Sequence, residues 1–179
     1  MAAGELEQDC SIARTLEVIG DRWTLLILRD AFRGVRRFDE LQRDLGIARN
    51  VLTDRLTKLV DHGVLERRLY QRRPDRYEYR LTPRGIGLSP ALVALMRWGD
   101  QHLCADNGPP LVLVHETCGE ALDQRFICWA CDETITPTAI RSVPGPGRAV
   151  DGSSRELTTC PTTRPCPATR PCWTRRSPR

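Results

Sequence analysis

The stretch GIARNVLTDRLTKLVDHG, residues 46–63, runs without a linker into two segments of period two, and this junction restricts the fold more than any other feature of the chain. Leu52, Leu56 and Leu59 fall on one side at about 100° per residue, which predicts an amphipathic helix bounded by Gly46 and Gly63. The segments VLERRLY (64–70) and YEYRLT (77–82) alternate as strands do, and QRRPDR between them, with Pro74, supplies a polar turn. The result is a hairpin that carries Arg67, Arg68, Arg72, Arg73, Arg76 and Arg80 against only Glu66, Asp75 and Glu78.

Upstream, Ile12, Leu16 and Ile19 recur at helical spacing and Gly20 is placed to stop that helix. Asp21 then offers its carboxylate as N-cap to RWTLLILRDAF, which is apolar nearly all round and belongs at the centre of a bundle. Phe38, Leu41 and Leu45 make a third helix, closed by Gly46. After LTPRG the chain returns to helix with Ser89 as N-cap and Pro90 in the first turn, and with an apolar face of Leu92, Leu95, Met96, Gly99 and Leu103. That face either completes the domain or meets a second copy; a terminal amphipathic helix outside a compact bundle favours the second copy.

Three helices, a short turn at LGIARN, a fourth helix and an Arg-rich hairpin, in that order, predict a winged helix-turn-helix: mainly α with a small β-hairpin wing. We place this domain at residues 10–106, after an N-terminal arm (1–9). NGPP at 107–110 breaks the last helix and opens a small Cys/His ribbon (107–148), in which LVLV and RFIC have the composition of short strands around a cysteine cluster. The last stretch, 149–179, is Pro, Thr, Arg and Ser with a near-repeated TRPC, too poor in apolar groups to offset the entropy of ordering. It reads as a disordered tail, either a weak metal-binding or crosslinking segment or an extension without function.

The helix 46–63 is the element to enter a major groove about 12 Å wide. Arg49 and Asn50 stand at its start, where Arg suits guanine O6 and N7 and Asn suits adenine N6 and N7. Thr53 and Thr57 extend the same side, Arg55 and Lys58 flank it as phosphate ligands, and Asp54 either orients Arg49 or Lys58 or accepts from cytosine. The plain alternative is the solvated face of a packed helix. Against it stand the scarcity of Glu on that face and the cationic hairpin that follows, with Arg68, Arg72, Arg73 and Arg76 placed to lie along a sugar-phosphate backbone. Net charge adds little. At +4 it permits a polyanionic partner without requiring one, and 26 of the 27 basic residues being Arg points to composition as much as to function.

The opening MAAGELEQD is acidic where an export signal is basic and then apolar, and no apolar run approaches the roughly 18 residues of a membrane span, so a cytoplasmic protein is expected. Eight cysteines in such a chain suit metal ligands or redox thiols better than disulfides. His115-x2-Cys118-x9-Cys128-x2-Cys131 has the composition and spacing of a four-ligand structural zinc site, with Gly119 after the first pair and, less typically, Asp132 after the second. A redox-active Cys128/Cys131 pair and unliganded thiols are the alternatives. Cys104 fits no pattern, His62 and His102 suit helix ends, and Cys160, Cys166 and Cys172 sit in the tail. No glycine-rich phosphate loop, paired carboxylates or nucleophile with a positioned base stands in the chain, so no enzymatic activity is expected.

The run CSIARTLEVIGDRWTLLILRD, then RRFDELQRDLGIARNVLTDRLTKLVDHGVLERRLYQRRPDRYEYRLTPRG, then ALMRWGDQHL closely resembles the HxlR-type winged helix-turn-helix transcriptional regulators over about residues 10–103. Agreement at Cys10, Trp23, Phe38, Leu41, VLTDRL and YEYRLT carries the resemblance. It implies a bacterial, dimeric, double-stranded-DNA-binding regulator whose terminal helices form the homodimer and whose recognition helices meet the half-sites of an approximate palindrome. A repressor is expected, because occupancy of a promoter alone blocks polymerase. Cys10 occupies the position that several members use to sense oxidants or electrophiles. A thiol at the first turn of a helix, with Arg14 one turn on, should favour the thiolate; the alternative is a capping or packing cysteine. A small-molecule or oxidant effector fits the same picture. Two other classes compete: a thiol redox protein using Cys10 or the Cys128/Cys131 pair, and an interaction module whose wing binds protein.

Overall fold

The structure, a computed structural model, describes residues 10–104 and 108–143. The N-terminal arm (1–9) and the tail (149–179) lie outside the described residues. The chain divides into two compact units, Met1–Ala121 and Leu122–Arg179.

Helix α1 spans Ser11–Ile19 and is followed by α2, Arg22–Phe32. Asp21 caps α2 as its position predicts, accepting from the amides of Trp23 at 2.9 Å and Thr24 at 3.3 Å. Helix α2 packs against α1, against three further helices and against a strand, and buries Thr24, Ile27, Leu28 and Asp30 while Arg22 and Arg29 stay exposed. The buried Asp30 carboxylate is met by Arg29, at 2.8 and 3.1 Å, and lies 3.8 Å from Arg33.

Helix α3, Phe38–Leu45, ends where Gly46 takes a left-handed φ of 60°, and α4 runs from Arg49 to Asp61. Leu41, Ile47, Leu52, Leu56 and Leu59 join Ile19, Ile27, Leu28, Val64 and Leu65 in one core. Strand β1, Leu65–Gln71, pairs antiparallel with β2, Arg76–Leu81, Leu65 opposite Leu81 and Leu69 opposite Tyr77, with an irregularity between Leu69 and Gln71. The helix-turn-helix and its wing are therefore present as the periodicities predict. The segment before α3 adds an edge the sequence does not reveal: Arg37 bridges to Glu78, and the Tyr79 amide donates to the Arg36 carbonyl at 2.8 Å. Two residues are too few to show alternation.

A four-residue helix α5, Pro83–Ile86, also escapes the periodicity. Its cap is Thr82, whose hydroxyl accepts from the Gly85 amide at 3.1 Å and donates to the Gly63 carbonyl at 2.6 Å, tying the end of the wing to the end of α4. Helix α6, Ser89–His102, begins one residue earlier than predicted, with Leu88 at the N-cap and Ser89 already helical. Leu88 and Leu92 pack on the core, yet α6 has no fully buried residue, and Leu95, Trp98 and Leu103 are exposed. On α1, Ile12 and Leu16 are exposed as well; only Ile19 of the predicted stripe reaches the core.

In residues 108–143 the sequence expectation needs correction. LVLV is not a strand: only Val114 forms a bridge, to Ala121, and Leu111, Val112 and Val114 are exposed. In the second unit RFIC contributes the two-residue β3, Phe126–Ile127, which pairs with β4, Thr134–Ile135, and a short 3-10 turn, Pro137–Ala139, follows. An apolar run makes a strand only where a neighbour takes its hydrogen bonds, and residues 111–113 have none among the described residues.

Candidate nucleic-acid interface

The buried leucines of α4 fix what its other side presents: Arg49, Asn50, Thr53, Asp54 and Thr57 are exposed, and Lys58 is half-buried. Ala48 at the N-cap has no side chain to cap with, so the first amides of α4 have no side-chain partner at the end where the helix dipole is positive. The Arg49 guanidinium lies 4.8 Å from the centre of the Phe38 ring, which holds it at the mouth of the helix-turn-helix. The exposed Thr53 donates its hydroxyl hydrogen to the Arg49 carbonyl at 2.9 Å, which leaves the oxygen lone pairs as acceptors.

Arg55 stands differently from its expected role as a phosphate ligand. It faces inward along the flank of α4, and its Nε and Nη2 donate to Asp21 at 3.0 and 3.4 Å. The Asp21 carboxylate thus caps α2 and anchors α4 at once. Burial works to raise its pKa, but the hydrogen bond from Arg55 and the amides of Thr24 and Trp23 outweigh it and hold the group below the ordinary carboxylate range. A depressed folded-state pKa means that the contribution is fully present above about pH 3.9 and is lost as pH falls through the lower value. Asp21→Asn preserves the cap and removes the ion pair. Neutralising an acid usually strengthens binding to a polyanion; here we expect the opposite, a roughly 2- to 5-fold weaker DNA affinity (about 0.5–1 kcal/mol for a partly exposed pair). Its salt dependence, read by fluorescence anisotropy, should not change, because no phosphate contact is lost.

Within the wing the charges sort by position. Arg68 pairs with Glu66 at 2.6 Å and Arg80 with Glu78 at 2.7 Å, while Arg67 stacks 3.5 Å from the centre of the Tyr77 ring. At the tip Arg72, Arg73 and Arg76 are exposed and have no acidic partner among the described residues. The wing is therefore neutralised at its base and cationic at its end. Arg37, 4.9 Å from the centre of the Tyr70 ring, stands beside the wing as well, its guanidinium 3.7 Å from the Glu40 carboxylate.

Cys10 is the exposed N-cap of α1, and its carbonyl accepts from the Arg14 amide at 3.1 Å. Cys104 lies 3.7 Å from Asp100; burial first, then that carboxylate, push its thiol up. In the first unit His115 Nδ1 is 3.2 Å from Cys118 Sγ. In the second, the Cys131 and Ala130 amides and the Cys131 thiol hydrogen-bond to the Cys128 sulfur and lower its pKa. The four predicted ligands thus form two pairs, and among the described residues no three His, Cys, Asp or Glu side chains are grouped to hold a metal ion.

Residues 18–107, which contain α2 to α6 with the wing, match the family model of the HxlR-like helix-turn-helix. The chain belongs to the HxlR-like helix-turn-helix family. It is 53% identical over 137 residues, 76% of this chain and 87% of the relative, to the uncharacterised HTH-type transcriptional regulator Rv3095 of Mycobacterium tuberculosis. A match of that length must extend past the winged helix and take in residues 115–131. The crystal structure of PA1607, a candidate transcription factor, is similar at a TM-score of 0.70 with 35% identity, covering 79% of this chain and 99% of that one. The oxidised form of the redox regulator HypR is similar at 0.50 with 31% identity, covering 54% and 100%. This HxlR-like chain is thus a transcriptional regulator of the helix-turn-helix type, and no described helix is long and apolar enough to cross a membrane.

Proposed function

We propose that the chain is a sequence-specific, homodimeric repressor that binds an approximately palindromic operator, with one α4 in the major groove of each half-site and the wings on flanking phosphates. One observation carries this reading: the exposed polar face of α4 and the cationic wing tip belong to consecutive elements tied together through Thr82. A helix whose inner face is locked by Leu52, Leu56 and Leu59 presents Arg49, Asn50, Thr53 and Thr57 as a fixed set of donors, acceptors and methyl groups, which base edges require. Arg72, Arg73 and Arg76 add charge without sequence preference. Half-sites about one helical turn apart follow from two-fold symmetry.

A gel shift with the duplex upstream of the chain's own gene tests this. A complex that resists competitor DNA is expected. No complex in dilute buffer, together with turnover of a thiol reagent or a quinone, would favour a thiol redox protein; capture of a protein by the wing would favour an interaction module.

Arg72→Ala with Arg73→Ala is expected to weaken operator and unrelated duplexes alike. The log–log salt slope should flatten by about 0.9 for each phosphate contact removed. Equal affinity and slope for variant and parent would take the wing off the backbone.

Cys10 supplies the route to regulation. An exposed thiol at the first turn of α1 is open to oxidants and electrophiles, and an adduct there alters a helix whose Ile12 and Leu16 are free to join a dimer contact. The likeness to a redox regulator supports this reading. Operator affinity that responds to peroxide or a quinone in the parent but not in Cys10→Ser is the expected result.

A further inference from the structure

Residues 122–143 hold one tight turn with a sulfur at each end. The Asp132 amide donates to the Cys128 carbonyl at 2.7 Å, the Cys128 amide donates to the Glu133 carbonyl at 2.9 Å, and Phe126–Ile127 pairs with Thr134–Ile135 on either side. Asp132 takes a left-handed φ of 61°, which Asp tolerates better than most residues. Inside this turn the Cys128 sulfur accepts hydrogen bonds from the Ala130 and Cys131 amides and from the Cys131 thiol. The two sulfurs are therefore in contact, and the turn meets the proximity that a disulfide requires.

Solvent reaches both groups. Cys131 is exposed, Cys128 is half-buried, and Trp129 between them is 73% exposed. No described residue from 122 to 143 is buried, so apolar packing contributes little to holding the turn, and a segment of this size gains from a crosslink. We propose that Cys128 and Cys131 form a dithiol that exchanges with a small soluble disulfide, closing to an internal disulfide that a small thiol reopens. In the closing direction one sulfur of the pair attacks a sulfur of the small disulfide and releases one thiol; the other then attacks the mixed disulfide and releases the second. The pair loses two electrons and two protons, and the reagent gains both and leaves as two thiols. The Glu133 carboxylate, 3.7 Å from Cys131 Sγ, is placed to accept the Cys131 proton on its way. The site lies wholly within the second unit, and the proposal is independent of operator binding and of the regulation proposed for Cys10.

The test is incubation of the purified full-length chain with glutathione disulfide at about 0.1 mM, roughly 10-fold below the millimolar effective concentration of two groups on a short link. After acid quenching and alkylation, the tryptic peptide 126–141, which holds these two cysteines and no other, is analysed by mass spectrometry. It should lose two hydrogens, carry no glutathione and take up no alkylating reagent, and dithiothreitol should restore two alkylatable thiols. This measurement needs no variant. Cys128→Ser and Cys131→Ser should each keep glutathione on the remaining sulfur, roughly 10-fold more than the parent peptide, because the second displacement is lost. Cys10→Ser, and a variant with Cys160, Cys166 and Cys172 all changed to Ser, should close as the parent does. A parent peptide that stays dithiol while Cys10 is modified, that is linked to another cysteine, or that retains glutathione would overturn the proposal. So would thiols shielded from alkylation until a chelator is added, since a metal ion would then hold the pair.

Discussion

Trp98→Glu combined with Leu95→Glu on α6 is expected to give a monomer that binds a two-half-site duplex roughly 100- to 10,000-fold more weakly than the parent. Both side chains are 55% exposed, and with Ile12, Leu16 and Leu103 they leave much apolar surface of α1 and α6 in water. Covering that surface is favourable at about 25 cal/mol per Å², and two-fold symmetry lets one copy cover the other with the same residues. Carboxylates placed there would have to be buried unpaired in the proposed dimer, at a cost of several kcal/mol each. DNA affinity falls further than any single contact explains, because linking two half-site readers makes the second contact intramolecular. Sedimentation velocity and anisotropy on the same samples check both effects. A variant that stays dimeric, or a parent that is monomeric at micromolar concentration and still binds tightly, would contradict it.

Arg49→Ala and Asn50→Ala act on a different quantity. Each should reduce discrimination between operator and altered sequence by about 1–3 kcal/mol, roughly 10- to 100-fold, with little effect on binding to unrelated duplex. Arg49 rests on Phe38, so its side chain approaches the groove with its orientation already restricted and little entropy left to lose. The two changes share a groove and are expected to be less than additive. Competition titrations against duplexes altered at single positions measure this. Uniform weakening on every sequence, as predicted for Arg72 and Arg73, would remove Arg49 and Asn50 from the bases.

What could be read from the sequence was what repeats. Leu52, Leu56 and Leu59 fixed the orientation of α4, and alternation on either side of Pro74 fixed the wing, because burial on one face leaves a period in the chain. Features made by a few residues left none: the edge at Arg36 and Arg37, the single turn of α5, and β4 at Thr134–Ile135. Arg55 is the instructive case among site residues. Its place on the flank of α4 suits a phosphate, and only the fold brings it to Asp21, 34 residues earlier. The pairs His115/Cys118 and Cys128/Cys131 were visible as spacing, whereas the backbone hydrogen bonds that close a turn at each, from the Gly119 amide to the His115 carbonyl and from the Asp132 amide to the Cys128 carbonyl, are not encoded in spacing.

Guanine methylation interference on the operator duplex tests the placement of α4 most directly, since N7 lies in the major groove and the minor-groove acceptors do not. Methyl groups at N7 in two clusters about one helical turn apart should abolish binding, while adenine methylated at N3 in those positions should be tolerated. If N7 methylation has no effect and N3 methylation at the centre of each half-site blocks binding, α4 does not read the major groove.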